Sequence, residues 1–244
     1  MAKAPNRPEE LFAEFTRDCN KIFSAELVSI ILYGSGARGE YIPKKSDINF
    51  AVILTDEGIN RLSMAIPFVA SWKKRRVATP LFLTKEYIAS SLDTFPIEFL
   101  NLKAAYTVVF GQDILRDLVF DRRLMRIQCE REIKGKLLQL RQSLLETEGN
   151  KRKIAALISL SLPTFFSIFQ AILFLKGRAG ISGKEQLLAA MTQVTALRSE
   201  VFCELTAIRE GKKQVASSEA VPLMERYIEE IKKISAVVDT LDIT

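Results

Sequence analysis

The sequence predicts an α+β protein, with a strand-bearing first part over residues 1–118 and an all-helical second part over 119–244. Three observations carry this. β-branched apolar runs at Leu27–Tyr33 and Ile48–Leu54 have strand length. Such signals stop from about Leu115 onward. Beyond that point, long stretches of helical periodicity follow one another, separated by glycines. With 48% hydrophobic residues, the 244-residue chain has enough apolar material for two modest cores.

Taken in order, residues 8–25 predict an amphipathic helix, with Leu11, Phe12, Phe15, Cys19, Ile22 and Phe23 at helical spacing and Pro8 suited to its first turn. Leu27–Tyr33 predicts a buried strand, broken by Gly34, Ser35 and Gly36. Ile48–Leu54 predicts a second strand, 57–72 a helix ended by the basic run Lys73 to Arg76, and Val77–Leu83 a third strand. Thr84 is placed to cap a short helix containing Glu86 and Tyr87. The apolar run Phe95–Leu102, with Glu98 in its middle, is assigned as a fourth strand. Helices are then expected over 121–147 and 152–176, with two or three more near 183–196, 198–211 and 220–240. Leu187, Leu188, Met191, Val194 and Leu197 read as core, as does Trp72. No internal repeat and no low-complexity segment occurs.

Composition excludes several chemistries. The chain has no histidine, which removes imidazole general bases, Ser/His/Asp triads and imidazole metal ligands. Cys19, Cys129 and Cys203 are odd in number and widely spaced, so neither a disulfide framework nor a zinc site is expected. A reducing cytoplasm fits this usage, and Met1–Pro8 lacks the apolar core of a secretion signal. Chemistry would then rest on carboxylates, hydroxyls, Lys, Arg, Tyr or Cys, and any metal would be a hard, oxygen-bound one. The net charge of +6 lies mostly in the second half, where 20 basic residues face 15 acidic ones; it suits either a phosphate-rich partner or solvated helix surfaces. The uncharged 22-residue run Ile154–Leu175 is long enough to span a bilayer, but its Ser159, Ser161, Pro163, Thr164, Ser167 and Gln170 favour a helix surrounded by other helices, and no membrane is expected.

The most informative stretch runs from the first strand through Gly34, Ser35, Arg38, Gly39 and Glu40 to Ser46, Asp47, Ile48 and Asn49. A buried strand entering a glycine-serine turn lets backbone N–H groups and the Ser35 hydroxyl approach phosphate oxygens. Arg38 adds a charge-assisted contact. Strand alternation then puts Asp47 and Asn49 on one face, beside that cradle. Lys44 and Lys45, in the preceding loop, read equally as phosphate contacts or as solvated lysines.

This combination resembles the signature of the polymerase-β-like nucleotidyltransferase superfamily, of the kanamycin-nucleotidyltransferase and minimal-nucleotidyltransferase types. The motif covers residues 27–54, and the two-part layout extends the likeness loosely to the whole chain. The resemblance implies a mixed β-sheet nucleotidyltransferase domain and transfer of a nucleoside monophosphate to an acceptor hydroxyl. It implies that Gly34 and Ser35 hold the phosphates of ATP or another nucleoside triphosphate, and that Asp47 binds magnesium. It also makes Glu98 the third carboxylate, as metal ligand or base; read from its own neighbours, Glu98 is as well a structural acid. Position 49 departs from the pattern, since Asn49 stands where a second metal-binding acid is expected. The site therefore reads as a weak enzyme or as a lapsed nucleotide-binding or regulatory protein. The helical half resembles HEPN-like bundles, which suggests an acceptor pocket for a small molecule, protein or RNA, or a homodimer contact. Without histidine, the ribonuclease activity of that group is not expected.

Overall fold

The computed structural model describes residues 5–181 and 183–242. The chain is α+β and divides into two compact units, one of Met1–Leu92 with Leu102–Val119, the other of Asp93–Asn101 with Phe120–Thr244. The segment 93–101 sorts with the helices that follow residue 119.

The first unit opens on a 3-10 turn, Pro8–Leu11, that leads into α1 (Phe12–Phe23). Its sheet is mixed, with strand order β3-β2-β1-β4. β1 (Leu27–Tyr33) runs antiparallel to β2 (Asn49–Leu54), which in turn runs parallel to β3 (Leu81–Thr84). The remaining neighbour of β1 is β4 (Tyr106–Gly111), also antiparallel. One face of the sheet packs Ile30, Leu32, Phe50, Val52 and Leu54 against α1 and against α3 (Ile66–Lys73). Five of the fifteen buried residues of that core are aromatic. Phe15 stacks on Phe50 with centroids 4.2 Å apart, and Trp72 meets Phe15 edge-on at 5.0 Å. Such pairs add to simple area burial, and they fix how α1 and α3 lie on the sheet.

Three expectations are corrected. The helix expected over 57–72 is broken into α2 (Asp56–Asn60), a 3-10 turn at Leu62–Ala65, and α3. Pro67 lies in the first turn of α3, where its missing N–H costs nothing; inside one long helix it would remove a hydrogen bond. The strand expected over Val77–Leu83 is reduced to a single bridge, Val77 with Ile48, before β3 begins at Leu81. Pro80, which has no N–H to donate, separates the two. Most consequentially, Phe95–Leu102 is not a strand: Pro96–Ala104 is a helix, α5, which follows α4 (Lys85–Ser91). Pro96 starts it, and Glu98 lies in its first turn, where a negative charge complements the helix dipole. The sheet's fourth strand is β4 instead. The cap expected at Thr84 is present, its hydroxyl oxygen accepting from the Tyr87 amide at 3.0 Å.

The second unit holds α6 (Arg122–Glu146), α7 (Lys151–Leu175), α8 (Lys184–Thr195), α9 (Ser199–Arg209) and α10 (Ser217–Asp239). α6 and α7 are capped by Asp121 and Asn150, whose side chains each accept from two amides. α7 is the central helix, packed on α6, α8, α9 and α10. It is the one described helix long and apolar enough to cross a membrane. Its apolarity has a local explanation, because Ile158, Leu162, Phe165, Phe169 and Ile172 are all buried within the unit. Tyr227 of α10 is fully buried, edge-on to both Phe165 and Phe202. Glu230, also fully buried, accepts from the Arg198 amide at 3.0 Å, from Arg198 Nε at 2.6 Å and from Lys233 Nζ at 2.8 Å. A carboxylate so deep is tolerated only with its oxygens satisfied in this way.

Two outcomes follow from this packing. Gly111 has φ +76°, and a Cβ there would lie 2.1 Å from the Val28 carbonyl oxygen. Gly111→Ala should therefore destabilise the first unit by about 2–4 kcal/mol in urea unfolding. Burial pushes the thiols of Cys19 and Cys129 up to about 12, while Cys203 is exposed. A thiol reagent at pH 8 should thus modify one cysteine rapidly in the native protein, Cys203, and the other two only on unfolding.

Candidate functional site

The site is built at one end of the sheet, where β1 ends, β2 begins and the chain approaches β3. Tyr33 and Asn49 are directly opposed in the antiparallel register. Gly34 follows Tyr33 with φ +75°, and a Cβ on it would meet Asn49 Nδ2 at 3.1 Å. The turn after β1 therefore lies hard against the Asn49 side chain, and a larger residue at 34 would be strained both by its backbone and by that contact. The turn is closed by two backbone hydrogen bonds, Arg38 N to Gly34 O at 3.1 Å and Glu40 N to Ser35 O at 2.9 Å. Among the described residues, the amides of Ser35, Gly36 and Ala37 meet no acceptor. Gly36 is buried beside Leu32 and Pro8, and Ser35 and Ala37 are half-buried; successive amides without acceptors are what anion-binding turns are built from.

The basic residues around this turn differ in how they are engaged. Arg38 is exposed and paired with Glu40 at 3.2 Å. Lys44 and Lys45 are exposed on the loop before β2, which is closed by Ser46 N and Lys45 N donating to Ile42 O and by Ile42 N donating to Ser46 Oγ. Lys44 itself has φ +65°. Neither lysine has an acidic partner among the described residues.

Asp47 and Asn49 do fall on one face of β2, because Ile48 and Phe50 between and beyond them point into the core. Asp47 is the more open, with 60% of its side chain exposed, and its partner is Arg76, whose Nε lies 3.3 Å from Asp47 Oδ1. Arg76 stands there because Ile48 N donates to its carbonyl oxygen at 2.8 Å and Ala78 N donates to Ile48 O at 2.9 Å, a parallel bridge that aligns residue 76 with residue 47. Nη2 of Arg76 donates to the Lys45 carbonyl oxygen at 2.6 Å. Burial raises the Tyr41 hydroxyl above its ordinary value, and the Arg76 charge opposes that rise while Glu10 and Asp47 add to it.

Glu98 has a different setting. It is exposed on α5, in the helical unit, and accepts from Gln128 Nε2 at 2.8 Å. Gln128 is buried, and its Oε1 accepts from the Ile97 amide at 2.8 Å, one of the first-turn donors left over at the start of α5. A single side-chain amide thus accepts from the start of the helix and donates to Glu98.

Seven of the anticipated residues, Gly34, Ser35, Arg38, Lys44, Lys45, Asp47 and Asn49, lie on the turn and loop that flank the β1–β2 pair. Arg76 was not among them. Its signal was its place, the last of four basic residues and the one directly before the β-branched Val77. Among the described residues no group of three or more His, Cys, Asp or Glu side chains converges. The donors at the strand end amount to one carboxylate, already facing a guanidinium, and one neutral amide. That set does not fit a resident magnesium ion, which calls for hard, mostly anionic oxygens in a regular octahedron. No protein-family model matches the chain, and no curated protein is significantly similar to it.

The Gln128 arrangement has a measurable consequence. Gln128→Ala leaves the Ile97 amide without its acceptor and should lower stability by about 1–3 kcal/mol in denaturant unfolding, whereas Glu98→Gln, which keeps an acceptor for Gln128 Nε2, should cost less than about 1 kcal/mol.

Proposed function

We propose that the chain is a nucleotidyltransferase-like protein that binds a nucleoside triphosphate at the Gly34–Gly39 turn and no longer transfers the nucleotide. The observation that carries this reading is the pairing at the start of β2. The glycine turn with its open amides is in contact with Asn49, while the adjacent Asp47 faces Arg76 at 3.3 Å.

Transfer of a nucleoside monophosphate requires an acceptor oxygen to bond to the α-phosphorus as the bond to pyrophosphate breaks. Its transition state spreads negative charge over the phosphoryl oxygens, which two divalent ions commonly neutralise. Asn49 contributes no charge toward such ions, and Asp47 alone is a poor anchor for them. Glu98, occupied by Gln128, is a structural acid in this reading and not the base toward an acceptor. Phosphate binding asks for less: open amides, a positive balance and a glycine that admits close approach. All three are features of residues 34–45. The reading carries a regulatory role, in which the nucleotide is a ligand and not a substrate, in a cytoplasmic setting consistent with three free thiols. The packing of α7 within its own unit supports the absence of a membrane span.

The test is direct. The protein is incubated with each of the four labelled triphosphates and magnesium or manganese, and with protein, RNA and small-molecule hydroxyl acceptors. Binding should be detected with no labelled product above the buffer control, and Asn49→Asp alone should raise transfer by less than about tenfold, since it adds one ligand beside a retained Arg76. Robust transfer by the unaltered chain, abolished by Asp47→Ala, would overturn the lapsed reading in favour of a working magnesium-dependent enzyme.

A further inference from the structure

We infer that this site holds polyphosphate without a divalent ion, with the Arg76 guanidinium as the fixed cation beside Asp47; the inference rests on the nucleotide-binding reading above. It assigns to Arg76 the charge that a bound metal would otherwise supply.

The backbone of Arg76 is clamped in place. Hydrogen bonds on both sides of Ile48 tie residues 76 and 78 to the entry of β2. Arg76 also has φ +65°, a left-handed conformation uncommon for a side-chain-bearing residue and one that persists only where the surroundings enforce it. Arginine at this position is therefore presented by the fold and not merely carried by a loose tail of basic residues. Arg75, its neighbour, is directed elsewhere, to Glu14 at 2.6 Å and over the Trp72 ring.

The guanidinium is only partly engaged. Among the described residues its side chain makes one hydrogen bond, from Nη2 to Lys45 O. Nε is shielded from solvent and donates to nothing, although Asp47 Oδ1 is 3.3 Å away, so the Asp47 contact is ionic and not a formed hydrogen bond. A shielded donor without an acceptor calls for an explanation, and a small turn of the guanidinium toward an incoming anion supplies one. The side chain is 41% exposed and that of Asp47 60%. An ion pair so open to water is weak, so a polyphosphate competes for the guanidinium on favourable terms. The planar fork of arginine matches phosphate oxygens in pairs, which a point charge does not. Lys44 and Lys45, unpaired among the described residues, add to the positive balance on the same loop.

The same geometry opposes a metal. An ion bound to Asp47 would sit beside a positive guanidinium, with Asn49 offering no compensating charge. Magnesium then reaches the site only as the counter-ion of the nucleotide, and by masking phosphate charge it does not strengthen binding.

Calorimetric titration of the full chain with ATP and with inorganic tripolyphosphate, each in EDTA and in millimolar magnesium, tests this. ATP should bind in EDTA at least as tightly as in magnesium. Arg76→Gln should weaken it about tenfold or more in EDTA, Arg76→Lys should weaken it less, and Asp47→Asn should leave it unchanged or tighter. Thermal melts of each variant establish that it is folded, and the lysine variant keeps the charge should the glutamine variant fail to fold. Tripolyphosphate binding as tightly as ATP supports the role of Arg76 and identifies the ligand class as polyphosphate irrespective of the nucleoside. Binding that requires magnesium, is lost in Asp47→Asn, or is unaffected by Arg76→Gln overturns the inference while leaving nucleotide binding intact. Absence of binding to either compound in both buffers overturns the nucleotide reading and this inference with it.

Discussion

β1 meets β2 in an antiparallel register that sets Tyr33 opposite Asn49 and Leu27 opposite Leu54, and this pairing constrains the core and the candidate site together. Since side chains alternate, one register decision assigns Phe50, Val52 and Leu54 to the aromatic core beneath α1 and assigns Asp47 and Asn49 to the opposite face. A slip of one residue would turn Asp47 toward the core beneath α1 and take Phe50 away from Phe15. The burial of Phe50 against Phe15 thus goes with the placing of Asn49 beside the glycine turn. The candidate site is attached to the central pair of the sheet, β1 and β2.

Much of this was legible in the sequence, for identifiable reasons. β1 and β2 are short, apolar and β-branched, with breakers on both sides, and they fall where expected. The long helices from α6 onward announce themselves by periodicity and by the glycines between them. The difficulty lay in apolar runs of intermediate length. Phe95–Leu102 is compatible with strand or helix by hydrophobicity alone. What settles it is Pro96, which opens a helix, and Gln128, a cap arriving from a residue 31 positions away that no local pattern reveals. The true fourth strand, Tyr106–Gly111, carried its own signal in consecutive aromatic and β-branched residues, and Gly111 is required there by the close approach of Val28. Proline explains the remaining two differences, breaking the helix at Pro67 and the strand at Pro80.

The site itself was legible as a set of positions but not as a set of partners. Glycine, serine and two oxygen-bearing side chains spaced along two strands are visible as text. That Asp47 faces Arg76 is not, because the contact depends on a parallel bridge between segments nearly thirty residues apart. The missing partner changes the chemistry that the same residues imply. An aspartate facing solvent beside a glycine turn is a candidate metal ligand, whereas one facing a guanidinium is half of an ion pair.

Asn49 and Arg76 belong to one electrostatic arrangement. Were residue 49 an acid, the strand end would carry two carboxylates against one guanidinium, a balance less suited to a phosphate. Were residue 76 neutral, Asp47 would stand as an uncompensated negative charge at the mouth of a turn suited to anions and would repel them. With asparagine at 49 and arginine at 76, the strand end is close to neutral before any ligand arrives, and Lys44 and Lys45 tip the balance positive. The ion pair of Asp47 with Arg76 is open enough to water to yield to a more highly charged anion, while the backbone bridge at Ile48 keeps residue 76 at the strand entry.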